Sequence, residues 1–313
     1  MTELSIDLKK ILSQIREQTF YIIKEGWPEM SELMNVMLPD PLDPMALLPI
    51  AVSVAVGADA EELIPISASV LLFDLSLRII DDCADLDNPK ALHLAIGKGA
   101  AINYAMSFNA LALKKIWEEG RTHNVSDALL ANYFEAYLNV CKGQHSDLNV
   151  IANTLDEYKN IVRMKTVAAY EFATVIGSLT VVSNESDVKL CRECGNRIAW
   201  MSQILNDIEG LWFPQTTNNR ELEKGSFPVL YALESDEVNA QKLRKIYSSK
   251  NLNRKAVCSL LDEMNIRTQL IELAMDYRDE ALKIIHKARN PEGEKILKIW
   301  FDWMLRDTTH LLR

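Results

Sequence analysis

The sequence predicts an all-α fold, read as one domain over residues 1–313, and three observations carry that expectation. Apolar residues recur at intervals of three and four, as in Leu4, Leu8, Ile11, Leu12 and Ile15, or Leu129, Tyr133, Ala136, Tyr137 and Val140. Glycine and proline number only 11 and 10 in 313 residues, well below the roughly 12% of average chains, which excludes turn-rich sandwiches and barrels. Strands alternating with helices are absent, and so is any internal repeat. A bundle of about ten helices follows.

An amphipathic N-terminal stretch opens the bundle. MLPDPLDPM, residues 37–45, interrupts it, because three prolines cannot continue a helix and fix an extended connector. Residues 62–80, ELIPISASVLLFDLSLRII, are apolar on nearly every face. A helix of that kind belongs in the middle of a bundle, and Pro65 suits its first turn. Asp87-Asn88-Pro89 ends it and opens the next. Residues 213–225, FPQTTNNRELEKG, are polar and read as a long loop. Trp300 and Trp303 pack the last helix against the rest.

A formal net charge of −10 speaks against nucleic acid and anionic membrane surfaces, which select basic faces. No apolar run reaches the roughly 18 residues of a membrane span, and MTELSIDLKK lacks a signal-peptide core. A soluble, cytoplasmic protein is expected, not an integral membrane one. Five cysteines make no disulfide framework. Cys191 and Cys194 form a lone C-x-x-C in a charged helical stretch with no strand before it, and read as structural thiols.

The chemistry concentrates at Asp81-Asp82-Cys83-Ala84-Asp85, which closes the buried apolar helix. Asp81 and Asp85 are i and i+4 and share a face, where they repel each other and meet the negative end of the helix dipole. Something cationic must sit between them. Hard divalent cations, Mg²⁺ above all, meet that need and bridge to phosphate. Gly143-Gln144-His145-Ser146-Asp147-Leu148 closes another apolar helix, and Gln203-Ile204-Leu205-Asn206-Asp207 a third. Lys165 lies between them in an otherwise apolar segment. Carboxylates at Asp82 and Asp207 with an inward Lys165 suit a diphosphate held through metal ions. His145, Trp200, Trp212 and Phe213 read as solvated or plain core positions.

The ordered set DDxxD (Asp81–Asp85), GQxxDL (Gly143 to Leu148), Lys165-Thr166 and Gln203…Asp207 resembles the trans-isoprenyl diphosphate synthase, or polyprenyl synthetase, family. Lys224, with Ser226 and Pro228, resembles that family's K-x-T-x-P. The resemblance implies an isoprenoid synthase helical bundle around a deep central cavity. It implies Mg²⁺ on Asp81, Asp82 and Asp85, gripping the diphosphate of an allylic prenyl substrate, with a further Mg²⁺ on Asp207. It implies Lys165 and Lys224 on the diphosphate oxygens, Gln144 near the reacting carbons, and Asp147 and Gln203 lining the site. Family members are commonly homodimers, so a homodimer is expected here as well.

The departures point to an altered acceptor. The family's G-G-K-x-x-R-P, which binds isopentenyl diphosphate, is replaced by DPLDPMALLP at residues 40–49. The family histidine seven residues before the first aspartate is Asp74. The R-R-G after DDxxD is missing, leaving Lys90 and Lys98 as the nearby cations. The second acidic motif is thinned to Asn206-Asp207, which resembles class I terpene synthases and the branch that prenylates a tryptophan in a bacterial signalling peptide. The leading expectation is Mg²⁺-dependent ionisation of an allylic diphosphate without isopentenyl diphosphate. Such an enzyme is a terpene synthase or a prenyltransferase acting on a peptide or small molecule. The alternatives are a chain-elongating synthase and a non-catalytic subunit of a heteromeric one. Helix rise puts Leu77 and Phe73 about 6 and 12 Å below Asp81, so Phe73 is expected as the floor for a C15 chain within a C10–C20 range.

Overall fold

The computed structural model describes residues 6–33, 37–38, 42–85, 88–181, 184–214, 222, 225–235, 238–248, 252–306, 308 and 311. Among them every regular element is helical. In chain order these are α1 (Leu8–Gly26), α2 (Leu48–Ser53), α3 (Ile64–Asp85), α4 (Leu92–Ile96), α5 (Lys98–His123), α6 (Ser126–Asn149) and α7 (Leu155–Val162). They continue as α8 (Ala168–Val181), α9 (Glu185–Trp212), α10 (Phe227–Leu233), α11 (Val238–Ser248), α12 (Arg254–Glu263), α13 (Ile266–Ile285) and α14 (Pro291–Arg306).

The all-round apolar segment is α3, and it is the axis of the molecule. It starts at Ile64 with Pro65 in the first turn, and buries Val70, Leu71, Leu72, Phe73 and Leu75 among its neighbours. Helices α1, α5 and α8 pack around it. A second long helix, α9, lies against α8 and α13, and α6 bridges α5 to α8. Two buried helices surrounded by amphipathic ones leave a space between α3, α6, α8 and α9. Among the described residues no helix is long and apolar enough to cross a membrane.

Two connections position the site. The proline-rich connector ends at Asp43, whose carboxylate accepts the Met45 N–H (2.9 Å) and starts a 3₁₀ turn at Pro44–Leu47. The Trp300 indole donates to the Pro44 carbonyl (2.7 Å), fastening that turn to α14. The second connection, from α7 to α8, is a wide π-turn over Arg163–Val167. Such insertions re-aim side chains and recur at functional sites. This one turns Lys165 inward.

Cys191 and Cys194 are both buried in α9. Burial pushes the Cys191 thiol up to about 12 and raises that of Cys194 too. They remain neutral packing groups, as the sequence suggests.

Candidate active site

A cavity of about 920 Å³ opens between α3, α5, α6, α8 and α9. Leu77, Ile80, Met106, Tyr137, Val140 and Ile161 supply its apolar wall, while polar groups gather at two places along α3.

The first polar pole is built on Lys165. Its ammonium binds Asp81 at 2.8 Å and Asp147 at 3.0 Å, so α3, α6 and the π-turn meet at one cation. Burial alone lowers the lysine pKa, but the two carboxylates outweigh it and hold the group above its usual value. Lys165 therefore stays charged. Asp81 keeps its side chain 40% exposed, and Asp85, one turn on, lines the same cavity. Gln144 lines it too, and neither its amide nitrogen nor its amide oxygen has a partner. Gly143 lets this assembly close. A β-carbon there would stand 2.4 Å from the Lys165 backbone nitrogen and 2.7 Å from its Cα.

Two of the expected metal ligands are engaged by protein donors. Asp82 lies outside the cavity lining, about 100° round the helix from Asp81, and each of its oxygens accepts from the Asn88 amide at 3.1 Å. Asp207 is only 4% exposed. Its oxygens accept from the Tyr158 hydroxyl, the Gln203 amide (2.8 Å) and the Phe227 backbone N–H (3.0 Å). Gln203 in turn accepts from Thr166 at 2.5 Å. Asp207 thus ties α7, α9 and α10 together at the cavity wall, where its neighbour Asn206 is the exposed residue. Buried carboxylates are held this way because their unpaired form is costly. Thr166 belongs to the Lys165-Thr166 pair noted in the sequence, whereas Tyr158 carried no pattern that singled it out for this network.

The cavity depth also differs from expectation. Leu77 and Ser76 line the wall as expected, but Phe73 does not. Its ring is buried among Tyr133, Tyr137 and Phe172, with centroids 5.6, 6.2 and 4.6 Å away. Aromatic rings favour such tilted contacts. Tyr137, stacked on Tyr133, is the ring that faces the cavity. Phe73 supports that floor from behind.

The second polar pole was missed. Arg78, one turn before Asp81 on α3, lines the cavity. Its guanidinium binds Asp74 at 2.9 Å and Asp43 at 2.8 Å. Lys90 and Lys98 are exposed and lie outside the lining, so Arg78 replaces them as the relevant cation. Burial pushes the Asp74 carboxyl up to about 6, with Asp43 adding to the rise and Arg78 opposing it. Tyr170 and Ser202, 2.8 Å apart, line the same end. Lys224 lies outside the described residues, as do Leu86 and Asp87.

Among the described residues no three acidic, histidine or cysteine side chains converge on one point. Mg²⁺ retains water and binds through one or two carboxylates plus substrate phosphates. Asp81 and Asp85 fit this role, with hard oxygen donors facing the cavity.

Fold and cavity together define a helical bundle with a carboxylate–lysine pole above an apolar wall. The chain belongs to the polyprenyl synthetase family, which matches residues 44–264, and is a prenyltransferase-family enzyme. It is 26% identical over 228 residues to tryptophan prenyltransferase ComQ of Bacillus subtilis (strain 168), covering 72% of each chain. It is 29% identical over 213 residues to a short chain isoprenyl diphosphate synthase of Methanocaldococcus jannaschii, covering 62% of this chain and 63% of that one. A decaprenyl diphosphate synthase structure from Rhodobacter capsulatus superposes with a TM-score of 0.81 at 16% identity, over 96% of this chain and 97% of that one. A polyprenyl synthase from Caulobacter crescentus CB15, complexed with calcium and isoprenyl diphosphate, gives 0.79 at 16% identity over 94% of each. These two likenesses establish the isoprenyl synthase fold.

Proposed function

We propose that this chain ionises an allylic prenyl diphosphate with Mg²⁺ and passes the prenyl group to an acceptor other than isopentenyl diphosphate. C15 is the favoured chain length within C10–C20. The observation that carries this reading is the Lys165 pole, where one lysine, two facing aspartates and an unpartnered glutamine amide stand above an apolar wall. Lys165 is a charged donor for diphosphate oxygens. Asp81 and Asp85 hold the metal, which neutralises charge developing on the leaving diphosphate. Gln144 presents its amide to the same space. Tyr137 limits how deep the prenyl tail reaches.

The acceptor end supports a non-isopentenyl partner, since its single arginine is already engaged by two carboxylates. Similarity to a tryptophan prenyltransferase supports a peptide or small-molecule acceptor. A cyclising terpene synthase uses the same ionisation with no acceptor. Chain elongation is the second reading, favoured by Arg78 in the cavity and by the archaeal synthase relative.

The test incubates the protein with geranyl, farnesyl or geranylgeranyl diphosphate and Mg²⁺, with and without isopentenyl diphosphate, and records diphosphate release and products. Release that is unaffected by isopentenyl diphosphate is the expected result. An elongated diphosphate would replace this reading with the second, and no release from any of the three would remove both.

A further inference from the structure

The two poles of the cavity lie on one helix. Arg78 and Asp74 precede Asp81 by three and seven residues, which is about 4.5 and 10.5 Å along the axis at 1.5 Å per residue. A molecule seated on the second pole therefore lies beside the head of whatever occupies the first. The second pole is fixed in place. One Asp43 oxygen caps the Pro44–Leu47 turn through Met45, and the other binds Arg78. Arg78 spends its two contacts on Asp43 and Asp74. Asp74 sets its buried Oδ2 at 2.9 Å from the Arg78 Nε without a well-aligned hydrogen bond, and its Oδ1 receives none from the described residues. Tyr170, Ser202, Met45 and Met304 complete this end of the cavity, with no further cation among its described lining residues.

Two carboxylates against one guanidinium leave this pole with excess negative charge and one open acceptor oxygen. An incoming diphosphate would meet that charge, with the arginine's Nε and Nη1 already on carboxylates. A nitrogen-bearing molecule, neutral or cationic, would place an N–H on the open Asp74 oxygen and gain a charge-assisted hydrogen bond. We infer that Asp43, Arg78 and Asp74 form an acceptor subsite selective for an N–H donor and closed to a second diphosphate. Asp74 is the acceptor-binding residue, and Asp43 and Arg78 are positioning residues that hold its carboxylate. The assignment rests on the prenyl-transfer reading above for its name as an acceptor site, but its selectivity is independent of turnover.

The experiment is equilibrium binding by calorimetry to the full chain, with Mg²⁺ and an unreactive farnesyl thiodiphosphate present. Three probes are titrated: tryptamine, indole and isopentenyl diphosphate. Wild type should bind tryptamine or indole at least tenfold more tightly than isopentenyl diphosphate. Tryptamine alone would make the acceptor cationic, and indole as well would make the N–H sufficient. The double substitution Asp43→Asn with Asp74→Asn frees Arg78, and should reverse the preference toward isopentenyl diphosphate. Asp43→Asn alone, at a partly exposed position, should narrow the ratio in the same direction should the double variant fail to fold by circular dichroism. Equal or tighter binding of isopentenyl diphosphate to wild type overturns the inference, as does an unchanged ratio in folded variants. Failure of farnesyl thiodiphosphate to bind would instead sink the prenyl-transfer reading.

Discussion

Gly143→Ala tests whether the approach of α6 to the π-turn builds the Lys165 pole. The added β-carbon would lie 2.4, 2.7 and 2.8 Å from the nitrogen, Cα and Cβ of Lys165. Two of those atoms are backbone and cannot rotate away. Restoring ordinary contact near 3.4 Å requires the two elements to part by about 1 Å, and overpacking of that kind costs about 1–3 kcal/mol. Alanine recovers up to about 1 kcal/mol through helix propensity, so the net loss should be near 2 kcal/mol. A displacement of about 1 Å at a positioning group lowers turnover roughly 100-fold. The control is Gly99→Ala, near the start of α5, where a β-carbon meets nothing within 4 Å. Urea unfolding and Mg²⁺-dependent diphosphate release are measured on both. The control should unfold at or slightly above the wild-type midpoint and turn over normally. A Gly143→Ala protein with wild-type midpoint and turnover would show that the contact does not build the site.

Other outcomes follow from the same geometry. Asp81→Ala or Asp85→Ala should abolish diphosphate release with the far-ultraviolet circular dichroism spectrum retained, and near-normal turnover at saturating Mg²⁺ would refute the metal assignment. Tyr158→Phe removes one of the three donors to buried Asp207 and should lower stability by about 1–3 kcal/mol, read from the urea midpoint at constant m-value. Tyr137→Ala should shift substrate preference from farnesyl toward geranylgeranyl diphosphate. Phe73→Ala should chiefly lose the roughly 3–5 kcal/mol of a buried aromatic. Asp74→Asn should stabilise the fold near neutral pH. The folded carboxyl is raised from 3.8 to about 6, so the folded state holds the proton longer and wild-type stability falls as pH rises through that window. The gain should reach at most about 3 kcal/mol above pH 6 and vanish below pH 4, and a pH-independent difference would count against it.

The helical fold was legible because periodicity needs only local spacing, and the all-apolar stretch before Asp81 marked the central helix directly. Asp81, Asp85, Asp147 and Lys165 were legible because charged residues closing apolar helices need a reason to be there, and the structure brings all four to one cavity. What sequence could not supply was direction round the helix axis. Asp82 and Asp207 belong to the same motifs as the open cavity residues, yet Asp82 lies outside the lining and Asp207, though in it, is buried and accepts from protein donors. Arg78 was overlooked for a related reason. On a helix it reads as an ordinary charge, and only folding brings Asp43 from 35 residues away to its other side. Phe73 and Tyr137 show the same limit between helices, since which of two touching rings faces a cavity depends on how α3 and α6 pack.

The charge distribution connects these local facts to the reaction. Among the described residues, the cavity lining holds Asp43, Asp74, Asp81, Asp85, Asp147 and Asp207 against Arg78 and Lys165. Both cations are bound by two carboxylates each. A polyanionic head entering such a space without counter-charge would be repelled at both poles, more strongly than in water because the walls are of low dielectric. Divalent cations on Asp81 and Asp85 would change the sign at that pole, whereas at the other pole Asp43 and Asp74 are both taken up by Arg78. The Lys165 end then becomes the place for a diphosphate, and the Arg78 end stays unfavourable to a second one. On the proposed reading, this asymmetry separates donor from acceptor: the metal sets where the anion goes, and the Asp43–Arg78–Asp74 cluster sets what may lie beside it.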